Sequence, residues 1–453
     1  MNTAPQITRE ELICNDKVIS KIFLVYVLLV IVQDLFLQLP LGTIARSPYI
    51  FISPLVFVLI SFFSAKLYLF KPAKYYLVYY IYSIVITAVI VLYFYMSAEI
   101  TSIWGENLIV KCIKNSMYNL IIIITLYNFF FIFRNSGLKF LERILKYLVV
   151  IQIAIGCIQI LVPNAFDILK TPQLKVTARL TLLSTEPSHT FPQLLLSLLC
   201  YICIRYYIHN KFKALDYLVL LTGFLLLLLI QSRGGVVIMF ICFLFILFFS
   251  KQTLKNRLFM MSVSFIFIVP SYWVIMNIIV PQLSADLEQF SSISTRSITI
   301  LTALKSLLVY PFGQGYGTYL FTFPTLLDQT INNVLGWSPI PLSTFEMDLM
   351  LDTGRSLTVK SGLLNEILYT GWAIIVFYIF FFVNAYRNLR RLRHKRVVQN
   401  FFQYILIFII INYLLVSSIE TAYITFLPFA LLDRFSKEAS GSFGNTIKNL
   451  KVS

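Results

Sequence analysis

Apolar runs bounded by lysine or arginine recur along almost the whole chain, at 22–41, 49–70, 75–97, 119–133, 147–162, 191–208, 217–230, 236–249, 259–280, 363–383 and 401–432. A helix of about 20 such residues crosses a hydrocarbon core of about 30 Å. Because that core offers no water to backbone groups, helices are the spanning element these runs predict. The third run is rich in tyrosine near its start, as expected of an interfacial belt. The last is too long for one perpendicular helix, and its polar patch at 417–421 predicts a hairpin of two short spans. The pattern gives about twelve spans with both termini on one side, or eleven if the last run is unbroken. No internal repeat of the kind that marks secondary transporters is visible.

Two polar stretches interrupt the pattern. One is the loop 163–190; the other, 281–360, has scattered Gly, Pro, Ser and acidic residues and is too long for a simple connector. The expected division is a membrane domain over 1–280 (spans one to nine, with the loop 163–190), a soluble loop subdomain over 281–360, a second membrane segment over 361–432, and a cytoplasmic tail over 433–453. Clustered Lys and Arg sit in alternate connectors, including Arg134, Lys139, Arg143 and Lys146, and the run from Arg387 to Arg396. The positive-inside rule makes those connectors cytoplasmic and puts 163–190, 231–235 and 281–360 on the opposite face.

Composition agrees with this reading: 58% of the 453 residues are hydrophobic and 13% charged, against about 25% charged in soluble domains. The net charge of +17 does not point to nucleic acid, because the basic residues lie between apolar runs rather than in one soluble patch. The six cysteines are scattered, mostly inside apolar runs, where they read as small hydrophobes. Cys200 and Cys203 form a CxxC within a span and lack a second pair, so no metal site is expected. The polar N-terminus does not resemble a cleaved signal, and the first span is expected to act as its own insertion signal.

The densest chemistry lies in 177–193, TARLTLLSTEPSHTFPQ. Arg179, Glu186 and His189 supply a fixed cation, a carboxylate and a group that titrates near neutral pH. Three outer-face arginines, Arg179, Arg233 and Arg296, each allow a bland reading as snorkelling side chains. Together they are also how a site without a metal would grip a pyrophosphate. Arg233 lies in QSRGG, read as a tight turn between two spans. Glu186 precedes Pro187 at a helix start, where simple capping is the competing account. Glu186 and His189, three residues apart, share a face if the segment is helical. Tyr316 lies in YPFGQGYGTY (310–319), which reads as a tight turn under aromatic packing or as a sugar-stacking surface. Glu366 and Glu420 sit at the edges of spans, where a carboxylate needs a partner, and either could neutralise an arginine.

The order and sidedness of four features, R-x6-EPSH at 179–189, SRGG at 232–235, Arg296 before a helical stretch, and PFGQGYG at 311–317, resemble the O-antigen polymerase (Wzy-type) family, relatives of the O-antigen ligases. SGLLNEILYTGW at 361–372 is similar to that family's entry into its tenth span. The likeness covers most of the chain in layout and is specific over some thirty residues. It implies a GT-C-like, all-α polytopic membrane glycosyltransferase. Such an enzyme transfers a growing glycan from undecaprenyl pyrophosphate onto a lipid-linked repeat unit at the periplasmic face of the bacterial inner membrane, with no cofactor, metal or nucleic acid. A chain-length regulator protein would be an expected partner. In this reading Arg179, Arg233 and Arg296 hold pyrophosphate, Glu186 or His189 takes the hydroxyl proton, and Tyr316 and Glu420 support the site. The loop 281–360 contains no histidine, which argues against the alternative of a ligase. A lipid-linked glycan flippase or exporter is the other alternative.

Overall fold

The computed structural model describes residues 16–34, 47–63, 70–97, 100–103, 105–166, 180–184, 186–230, 232–249, 292–337, 343–354, 357–359, 361–415 and 422–450. These build an all-α protein: α1 (Lys17–Leu28), α2 (Tyr49–Phe63), α3 (Lys71–Ser97), α4 (Leu108–Asn135), α5 (Leu138–Leu161), α6 (Pro187–His209), α7 (Ala214–Leu229), α8 (Arg233–Phe249), α9 (Ser292–Val309), α10 (Phe323–Trp337), α11 (Phe345–Thr353), α12 (Gly362–Thr370), α13 (Trp372–Arg390), α14 (Arg396–Leu415) and α15 (Phe426–Leu450). The only strands among these residues are the two-residue pair Ser102–Ile103 and Glu106–Asn107, an antiparallel hairpin leading into α4. Six helices, α3, α4, α5, α6, α13 and α14, are long and apolar enough to cross a membrane, and α2 and α7 are shorter apolar helices. The run 259–280, read as the ninth span, lies outside the described residues.

The helices are inverted in polarity relative to those of a water-soluble bundle. On α3, Val78, Ile81, Val85, Val89 and Leu92 face outward. Tyr76, Tyr79, Ser83 and Thr87 are buried against the neighbouring helices. An exposed aliphatic face of this extent fits a hydrocarbon solvent, in which packing and internal hydrogen bonds hold helices together. Two of the tyrosines expected to form an interfacial belt turn inward instead and find partners: Tyr76 donates to Asn119 at 2.8 Å and Tyr79 to Glu366 at 2.6 Å, while Tyr75 and Tyr82 are half-buried. The same use of polar groups joins α1, α2 and α4, where Tyr26, Ser53, Thr125 and Asn128 form one buried network.

α6 packs against α5, α7, α8, α14 and α15. Its 23 residues span about 34 Å at 1.5 Å per residue, so its two ends lie at opposite ends of the bundle. At its C-terminal end Arg205 bonds both Glu142 and Asp216, Tyr201 donates to Asp216, and His209 bonds Glu142. Around them Lys395 Nζ donates to the Tyr207 carbonyl and lies 3.9 Å from the Tyr207 ring centre. Arg391 bonds Ser436, and Arg434 bonds the Arg134 carbonyl and Glu438. The basic ends of α4, α13 and α14 thus share one end of the bundle with the start of α5. The last helix continues past Leu432 to Leu450.

The run 281–360 contains α9, α10 and α11, whose buried residues, among them Ile298, Phe323 and Met347, join the same continuous core as the spans. Its glycine-rich stretch is a backbone clamp. Gly313, Gly315 and Gly317 all have positive φ. The N–H groups of Gln314 and Gly315 donate to the carbonyls of Leu368 and Tyr369 at the end of α12, and Trp372 N–H donates back to the Pro311 carbonyl. A Cβ on Gly371 would lie 2.0 Å from the Pro311 oxygen, and φ there is +56°. Gly336, by contrast, has open space where a Cβ would go. Gly371→Ala should therefore lower stability in detergent unfolding by about 2 kcal/mol or more, whereas Gly336→Ala should leave it unchanged or raise it by up to ~1 kcal/mol. Equal midpoints for the two variants would contradict the clamp.

Candidate functional site

Of the first apolar run, residues 22–34 are described. α1 passes into a 3-10 turn at Leu29–Val32, and the chain then turns inward with Gln33 and Asp34 both buried. The Val30 carbonyl in this turn finds a side-chain partner, and Gln33 in turn serves a backbone group of a distant segment. Gln193 of α6 donates to the Val30 carbonyl at 2.8 Å, and Gln33 accepts from the Ile424 N–H at 3.0 Å. The described part of the run 22–41 ends at Asp34, whose carboxylate has partners inside the bundle.

Those partners come from the loop singled out in the sequence. Leu182 sits in the left-handed region with φ 51°, a conformation costly for a branched residue. Gln159 at the end of α5 holds it there: its Oε1 accepts from the N–H groups of Thr181 and Leu182 at 3.1 and 2.9 Å. Thr190 adds a second tie by donating to the Thr181 carbonyl at 2.7 Å. The turn aims Ser184 at Asp34, with Ser184 Oγ donating to Asp34 Oδ2 at 2.6 Å. The same oxygen lies 3.1 Å from His189 Nδ1. Asp34, Ser184 and His189, from three segments, thus meet at one carboxylate.

Pro187 opens α6 and fixes the backbone of its first turn. Glu186 is the N-cap, and its carbonyl accepts from the N–H groups of His189 and Thr190. Its side chain makes no capping bond; it is exposed and accepts from Ser188 Oγ at 3.1 Å. The capping account of this carboxylate is therefore set aside. His189 is half-buried, and its ring feels the charges of Asp34, Glu186 and Arg296.

Arg296 lies within α9 rather than ahead of it, half-buried, with Nη1 donating to the carbonyl of Leu415 at 3.2 Å, the last residue of α14. Residues 233–235 do not form the expected turn but the first turn of α8, capped by Ser232 Oγ accepting from the Gly235 N–H at 3.3 Å. Gly235 lets that turn approach α6 closely, since a Cβ there would lie 2.4 Å from the Phe191 ring. The backbone of Arg233 is thereby set beside the start of α6. Tyr316 is fully buried: its N–H donates to Thr87 and its ring centre lies 5.3 Å from that of Tyr369. This is packing within the glycine clamp rather than a sugar-stacking surface. Arg179 and Glu420 lie outside the described residues. Glu366 is buried with Tyr79 as a hydrogen-bond partner.

The residue the sequence reading passed over is Asp34. A lone carboxylate inside an apolar run was its signal, because an ionisable group at membrane depth is costly without a purpose. Among the described residues no group of His, Cys, Asp and Glu is arranged to hold a metal ion. No family model matches the chain, and no curated protein matches it.

Gln159→Leu removes the acceptor of two buried N–H groups, so it should destabilise the protein by about 2–4 kcal/mol. Backbone amide exchange at Thr181 and Leu182 should accelerate with it. Unchanged exchange at both would show that the turn is held by something else.

Proposed function

We propose that the protein is a membrane glycosyltransferase of the O-antigen polymerase type. It joins lipid-linked oligosaccharide repeats at the membrane face opposite the basic end of the bundle. The observation that carries this reading is the convergence of an imidazole, a carboxylate and a guanidinium: His189 is bonded to Asp34 and lies within electrostatic reach of Arg296. By the positive-inside rule, the end rich in Arg134, Arg391 and Lys395 is cytoplasmic, which assigns His189 to the outer face of a bacterial inner membrane.

The chemistry follows from the residues. An acceptor sugar hydroxyl attacks the anomeric carbon of the donor glycan, the bond from that carbon to the pyrophosphate oxygen breaks, and its electron pair leaves on the lipid pyrophosphate. His189 takes the hydroxyl proton on Nε2. Arg296, with Arg233 and Arg179 as further candidates, stabilises the charge that grows on the phosphate oxygens. Glu186, exposed at the mouth of the site, fits acceptor binding better than proton transfer. An open apolar depression of about 230 Å³ lined by Leu363, Tyr378, Ile379, Phe382, Tyr413 and Leu414 adjoins the end of α14, whose Leu415 carbonyl holds Arg296. A prenyl segment lying in it would bring a pyrophosphate toward that guanidinium.

Purified protein mixed with lipid-linked repeat units should yield a ladder of polymer on a gel. A ligase would cap another acceptor, and a flippase would yield no new bond. His189→Gln should reduce kcat by about 10²–10⁴-fold. Arg296→Lys should reduce kcat/KM by about tenfold or more, because an ammonium cannot fork onto two phosphate oxygens. A wild-type preparation that binds the substrate and forms no ladder would refute the reading.

A further inference from the structure

We propose that Asp34 is the positioning residue of the site: it holds His189 in the tautomer with hydrogen on Nδ1, leaving Nε2 bare toward the substrate. This rests on the reading of His189 as the proton acceptor.

The geometry carries it. Asp34 is fully buried in an otherwise apolar run, and the chain breaks α1 to turn it inward. Leu or Val at this position would simply continue the hydrophobic pattern. A carboxylate in such a place costs several kcal/mol unless donors surround it. Ser184 and His189 both direct polar atoms at its Oδ2. An ionised carboxylate only accepts hydrogen bonds, so the ring nitrogen that faces it carries the hydrogen. Nδ1 is that nitrogen, and a neutral imidazole then keeps its lone pair on Nε2. When Nε2 takes the sugar proton, the ring becomes a cation whose Nδ1–H still rests on Asp34. The carboxylate thus stabilises the state that forms during reaction without itself becoming protonated. The other charges acting on the ring are those of Glu186 and Arg296. Ser184 fixes the carboxylate at the same Oδ2, and Gln159 fixes the turn that carries Ser184 by accepting from the Leu182 N–H.

The structure holds an internal contrast. His209, at the other end of α6, presents Nε2 to Glu142 at 3.2 Å. The two histidines should therefore be opposite tautomers.

The test is nitrogen NMR of the full-length protein, labelled with ¹⁵N-histidine, in lipid bilayers at a pH where the imidazoles are neutral. His189 is assigned by its loss in His189→Gln. The expected wild-type spectrum has hydrogen on Nδ1 of His189 and on Nε2 of His209. Asp34→Asn, whose amide can turn its NH₂ toward the ring, should shift His189 toward the other tautomer. In the same variant kcat for polymer formation should fall about 10²–10⁴-fold while KM stays within about threefold. Ser184→Ala should keep the tautomer and lose about tenfold. Hydrogen on Nε2 of His189 in the wild type would overturn the proposal, as would full kcat in a folded Asp34→Asn. If Asp34→Asn does not fold, the wild-type spectrum still decides. The expected spectrum from a wild-type protein that makes no polymer would uphold the pairing and refute the polymerase reading alone.

Discussion

A carboxylate cannot sit among apolar helices without donors, and the buried Asp34 is where that constraint shapes this protein. To meet it, the loop before α6 folds through a left-handed leucine to deliver Ser184 and His189 to its Oδ2, while Gln193 meets the Val30 carbonyl in the 3-10 turn after α1. Together these contacts fix the imidazole at this end of α6.

The rest of the bundle obeys the same economy of polar groups. On α3, α4, α5 and α6, Tyr76, Tyr79, Asn119, Gln152 and Ser197 turn inward and pair, while aliphatic side chains such as Val78, Ile81, Val85 and Val89 of α3 face outward. At the opposite end of α6, Arg205 lies between Glu142 and Asp216 in a closed ion network. A fixed guanidinium flanked by two carboxylates is a structural arrangement, since each charge is already met. The N-terminal end of α6 is different in kind. Its guanidinium, Arg296, is bonded to a backbone carbonyl, and its imidazole is half-buried with an edge toward solvent.

Much of this architecture could be read from residues alone. Apolar run length located α3 and α6 to within about four residues at each end, whereas the run 363–383 divides at Gly371 into α12 and α13, and the run 401–432 into α14 and the start of α15. The basic connectors stood out as clusters, and the structure gathers Arg134, Arg391 and Lys395 at one end. The segment around Glu186 and His189 stood out because polar residues are rare here, and the structure brings His189 to Asp34. What stayed hidden depended on tertiary partners. Nothing local in Val30–Asp34 announces that a helix will stop there; the stop depends on Gln193, Ser184 and His189, more than a hundred residues away. Nor does a Tyr-rich helix start reveal whether its phenols meet lipid headgroups or a buried Asn119 and Glu366. The SRGG stretch looked like a turn because glycine favours turns, whereas its second glycine serves a close approach to Phe191.

The most direct test of the account is a double-mutant cycle on folding stability in bilayer or detergent, combining Asp34→Asn with His189→Gln. If the two side chains are bonded as described, the single changes are strongly non-additive, with a coupling of about 1.5–3 kcal/mol as expected for a hydrogen bond to a charged group. Strict additivity would mean that His189 and Asp34 do not interact, and the organisation of the outer end around them would be wrong.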